Sequence, residues 1–169
     1  MRLLLQRVRS ASVTVAGRTA GAIGPGLMVL VAFGQEDGPQ IRQSPAFAGM
    51  ARKLLDMRLF PAPADHGAAG GGSSFQLSVK DFGGELLLVP QFTLYADCRK
   101  GRRPSFSHAG DPAWAADAFA AFVSLVDEAL PRGVSSGVFG ADMDVHLCNW
   151  GPVTIWLDSE RLFPLERRG

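Results

Sequence analysis

The sequence predicts a single α+β domain with a mixed or mostly antiparallel β-sheet and two main helices. The order of the elements supports this class, because strands, a helix, strands, a helix and strands follow one another without the strict alternation of a doubly wound fold. The chain has 169 residues, of which 47% are hydrophobic. That is enough for one core, and no internal repeat divides the chain.

The first part of the chain is predicted to be β-structure. Residues 2–9 mix apolar and polar side chains as an N-terminal strand does, and residues 12–15 alternate with period two. A turn-like Ala16-Gly17-Arg18 leads into a second short strand. The Gly24-Pro25-Gly26 turn then precedes residues 27–33, an apolar run typical of a strand buried on both faces.

Two helices are predicted, over about residues 44–58 and 112–130. Each begins with a capping side chain followed by a proline at the first helical position, Ser44-Pro45 and Asp111-Pro112. Apolar residues recur at helical spacing in both segments, so each has one face suited to a core. Leu130-Pro131 ends the second helix.

The remaining segments are predicted as strands and a loop. Residues 85–89 form another buried strand, and residues 144–147 and 153–157 form C-terminal strands separated by the segment from Asn149 to Thr154. Residues 61–74 are rich in Pro, Gly and Ala and are predicted to be a surface loop.

We place the domain at residues 1–159 and a loose tail at 160–169. The net charge is +1. The longest apolar run, residues 27–33, is far shorter than the roughly 20 residues that span a membrane. No secretory signal is evident, so we expect a cytoplasmic protein that binds no membrane, with Cys98 and Cys148 reduced.

The usual catalytic motifs are weak or absent. Residues 133–137 match the G-x-S-x-G pattern, but they leave a helix and enter a strand, which is the reverse of a nucleophile elbow, so we predict a loop. His146 and Cys148 lie two apart on a predicted strand without a second ligand pair, so core packing is the expectation. We predict neither a metal nor a bound cofactor.

A cluster of basic residues follows the buried strand 85–89. Four of the 17 basic residues of the chain fall within five positions, at Arg99, Lys100, Arg102 and Arg103. A solvated turn and a patch that contacts nucleic-acid phosphates are both compatible with this pattern.

Two further segments could supply polar or backbone groups to a site. Pro90 ends the strand, and Gln91 and Thr93 would share one face of an extended run, as polar surface residues or as a converging pair. Gly151-Pro152 indicates either an ordinary turn or a rigid pair of carbonyl groups, since glycine permits a close backbone approach.

Taken together, these segments resemble the D-aminoacyl-tRNA deacylase family. The resemblance extends to about Ser159, and many short motifs occur in the family's order. They are Leu5-Gln6-Arg7-Val8, Ala11-Ser12-Val13-Thr14-Val15, Gly24-Pro25-Gly26-Leu27, Gly83-Gly84-Glu85-Leu86, Gln91-Phe92-Thr93-Leu94, Arg103-Pro104-Ser105-Phe106-Ser107, Phe139-Gly140-Ala141-Asp142-Met143 and Asn149 with Gly151-Pro152-Val153-Thr154.

The resemblance implies a homodimeric, β-barrel-like fold that hydrolyses the ester joining a D-amino acid to the 3′-terminal ribose of tRNA. It implies a pocket lined by the catalytic segment Gln91, Phe92, Thr93 and Leu94. It further implies that a Gly–cis-Pro pair, here Gly151 and Pro152, enters the pocket of the partner subunit and is held in place by Arg7. Phe139 and Met143 correspond to part of the adenosine-binding wall.

The chemistry expected of such a site does not require a dedicated Ser or His nucleophile. Backbone N–H groups can stabilise the oxyanion of ester hydrolysis, and the 2′-hydroxyl of the substrate ribose can assist the attacking water. No base for Thr93 is evident, so we expect a positioning role for it. Carbonyl groups that collide with an L substituent select by rejection. The ester of glycyl-tRNA, whose amino acid has no Cβ, should therefore also be hydrolysed.

Three departures from the family pattern leave alternatives open. Pro90 replaces the usual Ser, and a related group of relaxed-chirality deacylases carries Pro-Gln-x-Thr-Leu. Trp150 stands where an acidic residue is common, and Gln76 replaces the usual Asn after a longer loop. A relaxed-chirality deacylase of mischarged tRNA is therefore one alternative, although Arg7 and the Gly-Pro pair favour the D-specific branch. A non-catalytic tRNA-binding module that uses the basic cluster is the other.

Overall fold

The computed structural model describes residues 1–62 and 75–164. It contains six strands and four helices in these ranges: β1 (Arg2–Val15), β2 (Arg18–Ile23), β3 (Gly26–Ala32), α1 (Pro45–Asp56), α2 (Val79–Phe82), β4 (Glu85–Pro90), α3 (Pro112–Asp127), β5 (Val134–Ser136), β6 (Asp144–Asp158) and α4 (Ser159–Leu162). The predicted loop at 61–74 falls almost wholly outside the described residues.

Strand β1 organises the sheet, because it pairs with three other strands. Its first half is antiparallel to β3, from Arg2 opposite Ala32 to Val8 opposite Gly26, and its second half is antiparallel to β2. Along its other edge, β1 is antiparallel to β6. β3, β4 and β5 are parallel to one another, which gives the order β2-β1-β3-β4-β5 with β6 added to β1.

The sheet curls until its two ends approach each other. The Ser135 hydroxyl in β5 donates a hydrogen bond to the Ala22 carbonyl in β2 over 3.1 Å. The result is a nearly closed, barrel-like mixed sheet with helices packed against it. The α+β class and the barrel-like sheet predicted from the sequence are therefore confirmed.

The two main helices begin where the capping residues predict. The Ser44 hydroxyl accepts a hydrogen bond from the Phe47 N–H (3.2 Å), and the Asp111 carboxylate accepts one from the Ala113 N–H (2.8 Å). A proline follows each cap, where no N–H is needed. The helices end at residues 56 and 127, slightly earlier than predicted.

Apolar side chains fill both sides of the central strands. Helices α1 and α3 cover one face, where the Phe47 and Phe122 rings meet edge to face at 5.4 Å. A second cluster lies inside the curled sheet and comprises Val8, Ala11, Val13, Ile23, Met28, Leu87 and Val89. β3 and β4 are thus buried on both faces, as their apolar runs predict.

The C-terminal region differs from the sequence-based expectation in two ways. β6 is one continuous strand, so the segment from Asn149 to Thr154 does not separate two strands, because both of its flanks pair with β1. After it, α4 is a short helix within which the predicted tail begins, and the Phe163 ring packs against the core.

The prediction of core packing for His146 and Cys148 is wrong. Both side chains are exposed, as are all five residues from Asp144 to Cys148. This part of β6 pairs with β1 along one edge, and no described element covers its side chains. The loop prediction for residues 133–137 is only partly correct, because the segment leaves α3 as expected but Val134–Ser136 form β5 and pair with β4. None of the helices in the described ranges is long and apolar enough to cross a membrane.

We expect Gly26→Ala to destabilise the protein strongly. Gly26 pairs with Val8 on one side and Glu85 on the other, and an added Cβ would overlap the Glu85 carbonyl oxygen. Relieving that overlap requires backbone movement, so the free energy of unfolding in urea should fall by about 3 kcal/mol.

Gly24→Ala is the matched control, since a Cβ there would approach the Glu85 carboxylate only to 3.6 Å, an ordinary contact. Its unfolding free energy should change by less than about 0.5 kcal/mol. Equal losses for the two variants would contradict the proposed close approach of β3 and β4.

Candidate active site

A cleft of about 900 Å³ opens at the end of the parallel strands. Its walls come from the end of β4 and the turn after it, the start of α3, and the segment that leads into β6. The lining side chains include Gln91, Phe92, Phe106, Trp114, Phe139 and Met143. The lining is largely apolar and aromatic with a few polar groups, as is usual for a ligand site.

The turn after β4 places the first predicted site residues. Pro90 lies opposite Val31 at the end of the parallel pairing, and the Gln91 N–H donates to the Val31 carbonyl over 2.8 Å. Residues 92–95 then form one 3₁₀ turn, whose first bond joins the Leu94 N–H to the Gln91 carbonyl (3.3 Å). The two N–H groups before it, those of Phe92 and Thr93, have no acceptor within the turn.

The structure brings the Gln91 and Thr93 side chains together, although through a 3₁₀ turn and not through the extended run that the sequence predicts. The Gln91 amide nitrogen donates a hydrogen bond to the Thr93 hydroxyl oxygen over 2.5 Å. Gln91 and Phe92 line the cleft, whereas Thr93 and Leu94 lie beside it. The Leu94 carbonyl accepts a hydrogen bond from the Arg2 guanidinium (2.9 Å), which ties the turn to the first strand.

The opposite wall contains Phe139 and Met143, as the resemblance implies. The Phe139 ring lies 6.4 Å from that of Phe119 on α3, and the Met143 sulfur accepts a hydrogen bond from the Val138 N–H (3.3 Å). A Cβ added to Gly137 would lie 2.9 Å from this sulfur and 3.3 Å from the Pro90 ring. Residues predicted for a pocket and for an adenosine wall therefore face one cleft.

The segment containing Gly151 and Pro152 lies elsewhere on the chain's surface. Asn149 is opposite Val8 and Thr154 is opposite Gln6, so four residues of β6 face one residue of β1 and bulge out of the sheet. The Gly151-Pro152 peptide bond is cis, and both residues are exposed. Neither lines the cleft described above.

Two side chains support this bulge. The Asn149 side-chain oxygen accepts a hydrogen bond from the Val153 N–H (2.8 Å), which closes the bulge at its base. Arg7, the residue directly opposite, is fully buried and donates to the Trp150 carbonyl (2.9 Å) and the Leu59 carbonyl (2.6 Å). Arg7 thus braces the Gly-Pro segment from beneath.

Two arginine side chains, Arg7 and Arg9, lie close to the Trp150 ring beneath the bulge. Burial, and then repulsion from Arg9, lowers the pKa of Arg7 from its ordinary value, but an arginine starts so high that it stays charged. The guanidinium carbons of Arg7 and Arg9 lie 4.7 and 4.1 Å from the Trp150 ring centroid. Both distances lie within the range of a favourable cation–π contact.

The basic cluster is at the tip of a hairpin next to the cleft. Paired backbone hydrogen bonds between Asp97 and Ser105 close the hairpin. The Asp97 carboxylate, at the base of the hairpin, accepts hydrogen bonds from the Arg99 guanidinium over 2.9 and 2.7 Å. These contacts hold the pKa of Asp97 well below its usual range. Lys100, Arg102 and Arg103 are exposed and form no ion pair with any residue in the described ranges.

Several cleft residues were not predicted from the sequence. Phe106 and Trp114 contribute large aromatic surfaces, and Gln35 contributes an amide. Phe106 lies within a motif that carries the resemblance, which was the available signal for it. Gln35 and Trp114 join the site through the tertiary fold alone. Among the described residues, no three His, Cys, Asp or Glu side chains are grouped in a way that could hold a metal.

Comparison with known proteins agrees with this architecture. A family model described as D-Tyr-tRNA(Tyr) deacylase matches residues 4–158. A D-aminoacyl-tRNA deacylase from Desulfovibrio desulfuricans is 63% identical over 163 residues, covering 96% of this chain and 99% of the relative. A solved structure of a c-Myc DNA unwinding element binding protein has a TM-score of 0.80 at 36% identity and covers 94% of this chain and 98% of its own.

A second solved structure, described as a probable eukaryotic D-amino acid tRNA deacylase, has a TM-score of 0.74 at 22% identity and covers 92% of this chain and 97% of its own. At that identity it shows that the fold is shared. The family model and the relative confirm the resemblance seen in the sequence motifs. The chain belongs to the D-Tyr-tRNA(Tyr) deacylase family.

Proposed function

We propose that the protein hydrolyses the ester of D-aminoacyl-tRNA in the cleft beside β4, with the Gly151-Pro152 segment of a second copy acting as the chirality filter. The protein is a D-aminoacyl-tRNA deacylase by family. The observation that carries the assignment to this cleft is that Gln91 and Phe92 face Phe139 and Met143 across it. One end provides polar groups for the ester, and the other provides apolar surface for the adenosine.

The geometry favours attack by water over a covalent intermediate. The Thr93 hydroxyl oxygen accepts a hydrogen bond from the Gln91 amide, which is a donor and cannot remove the hydroxyl proton. Backbone N–H groups at Phe92 and Thr93 would stabilise the developing oxyanion, and the substrate's 2′-hydroxyl would assist the water. Thr93 then orients Gln91 and the turn.

The position of the Gly-Pro bulge supports a homodimer. Both residues are exposed, lie outside the cleft of their own chain and are braced by the buried Arg7. Such a rigid projection can act on a cleft when a second copy presents it. Because a filter of this kind rejects an L side chain by collision, glycyl-tRNA, which has no Cβ, should also be hydrolysed.

Pro90 favours one alternative, a deacylase with relaxed chirality. Pro90 and Met143 both line the cleft and both adjoin Gly137, and a Ser in place of Pro90 would add a hydroxyl group to this lining. Such an enzyme would also remove L-Ala from a mischarged tRNA.

The defining experiment measures release of amino acid from D-Tyr-tRNA, L-Tyr-tRNA, Gly-tRNA and mischarged L-Ala-tRNA. We expect rapid hydrolysis of D-Tyr-tRNA, measurable hydrolysis of Gly-tRNA and negligible hydrolysis of L-Tyr-tRNA. Equal rates on the D and L esters would overturn the chirality filter. Binding of tRNA without hydrolysis of any ester would instead identify a non-catalytic tRNA-binding module, and cleavage of L-Ala-tRNA would identify the relaxed-chirality enzyme.

Gly151→Ala should reduce kcat/KM for D-Tyr-tRNA at least about tenfold, which is about 1.4 kcal/mol of transition-state stabilisation. Gly151 has a φ of 136°, and an added Cβ would lie 2.8 Å from a Val153 methyl carbon and 3.0 Å from the Arg7 guanidinium. The methyl group would therefore displace the bulge.

Gly17→Ala is the control for the backbone effect, because Gly17 also has a positive φ (75°) but an added Cβ meets nothing within 4 Å. It should cost roughly 1 kcal/mol of stability and leave kcat/KM unchanged. Full activity of Gly151→Ala would show that the filter lies elsewhere.

Thr93→Ala should slow hydrolysis by about tenfold to a hundredfold, since it removes an orienting contact and no nucleophile. Loss of a nucleophilic hydroxyl costs on the order of a millionfold in kcat. Single-turnover kinetics on D-Tyr-tRNA distinguish the two. Complete inactivity of a folded Thr93→Ala protein, or an acyl-enzyme trapped with wild type, would require covalent catalysis instead.

A further inference from the structure

The geometry points to a nucleotide subsite at the mouth of the cleft, in which the Phe106 ring stacks on the penultimate base of the tRNA 3′ end. The Phe92 ring, inclined to Phe106 at 74°, meets the edge of that base, and the adjacent cationic tip holds its phosphates. This inference rests on the proposed function, because it places the terminal adenosine deeper in the same cleft. It assigns a role to Phe106, Lys100, Arg102 and Arg103 that the hydrolytic chemistry does not use.

The two rings form an exposed aromatic surface. Phe92 is 54% exposed and Phe106 is 37% exposed, and their centroids lie 5.0 Å apart with the ring planes at 74°. Both belong to the cleft lining. Aromatic side chains that stack on unpaired bases are the common device of proteins that bind single-stranded nucleic acid, and the 3′ end of tRNA is single-stranded.

The backbone around Phe106 holds this surface in place. The Asp97–Ser105 hydrogen bonds, at 2.7 and 2.9 Å, lie just before it, and its own carbonyl accepts from the Ala109 N–H (2.9 Å). The Gln35 N–H donates to the His108 carbonyl (2.9 Å), which fastens the same segment to the end of β3. An exposed ring on an anchored backbone forms a preorganised surface for a ligand.

The charge next to the rings complements a polyanion. All four basic side chains of the hairpin tip are exposed. The Asp97 carboxylate pairs with Arg99, whereas Lys100, Arg102 and Arg103 form no ion pair with any described residue. They precede Phe106 by three to six positions, close enough for the phosphates on either side of a stacked base.

The size of the cleft also allows more than the terminal residue. Its volume of about 900 Å³ is near the upper end of the 300–1,000 Å³ typical of small-ligand pockets. The adenosine wall at Phe139 and Met143 uses one side, and the Phe92–Phe106 pair forms another part of the rim. One further nucleotide therefore has a surface to occupy.

The test compares two substrates with the same ester, D-tyrosyl-tRNA and D-tyrosyl-adenosine, which lacks the penultimate nucleotide. Phe106→Leu keeps an apolar side chain but removes the ring. Because stacking on one base contributes roughly 5- to 150-fold in affinity, this variant should raise KM for D-tyrosyl-tRNA about tenfold with kcat unchanged. KM for D-tyrosyl-adenosine should not change. Phe106→Trp, which keeps an aromatic ring, should have the wild-type KM for D-tyrosyl-tRNA.

Three results would overturn the subsite. Equal effects on both substrates would place Phe106 against the terminal nucleoside, and no effect on either would leave the ring without a role in binding. A change in sedimentation coefficient of Phe106→Leu would identify the surface as a contact between copies of the chain.

A binding measurement separates this inference from the proposed hydrolysis. Fluorescence anisotropy can compare a labelled RNA that ends in ACCA with the same RNA abasic at the penultimate position. The wild-type protein should bind the intact RNA about tenfold more tightly even if it hydrolysed no ester. Equal affinities would reject the stacking subsite whatever the enzyme assays gave.

Discussion

The pairing of β1 with three other strands is the constraint on which both the fold and the site depend. β3 and β6 flank its first half, so residues 2–6 and Val8 are paired on both edges. At Arg7 the partner strand β6 has four residues opposite one, and the surplus must leave the plane of the sheet. The Gly-Pro projection is the direct result, and the buried guanidinium of Arg7 satisfies the carbonyl groups beneath it.

Local signals in the sequence predicted most of the framework. Ser44 and Asp111 marked the helix starts because a cap and a following proline act within one turn. The apolar runs in β3 and β4 predicted burial on both faces because that signal, too, lies within one short segment of the chain. What depends on distant partners was missed: the continuity of β6 requires β1, and the exposure of His146 and Cys148 reflects the lack of a covering layer over one edge of the sheet.

The site residues also divide into those that local signals predicted and those that depend on distant parts of the chain. Gln91 and Thr93 do contact each other, but through the 3₁₀ turn at residues 92–95 and not along the extended run that the sequence predicted. Trp114 and Gln35 could not be found from local patterns, since only the tertiary fold brings the start of α3 and the end of β3 to the turn after β4. Arg7 was named through family resemblance, because nothing in its neighbourhood along the chain indicates that a cation would be buried there.

The three tryptophans of the chain lie in three different functional surroundings. Trp114 lines the cleft, Trp150 is enclosed by Arg7 and Arg9 beneath the Gly-Pro bulge, and Trp156 is 43% exposed on the outer face of β6. The protein therefore contains its own optical reporters. Emission from proteins that retain one tryptophan at a time would report on the cleft, on the bulge and on the exposed face of β6 as three separate signals.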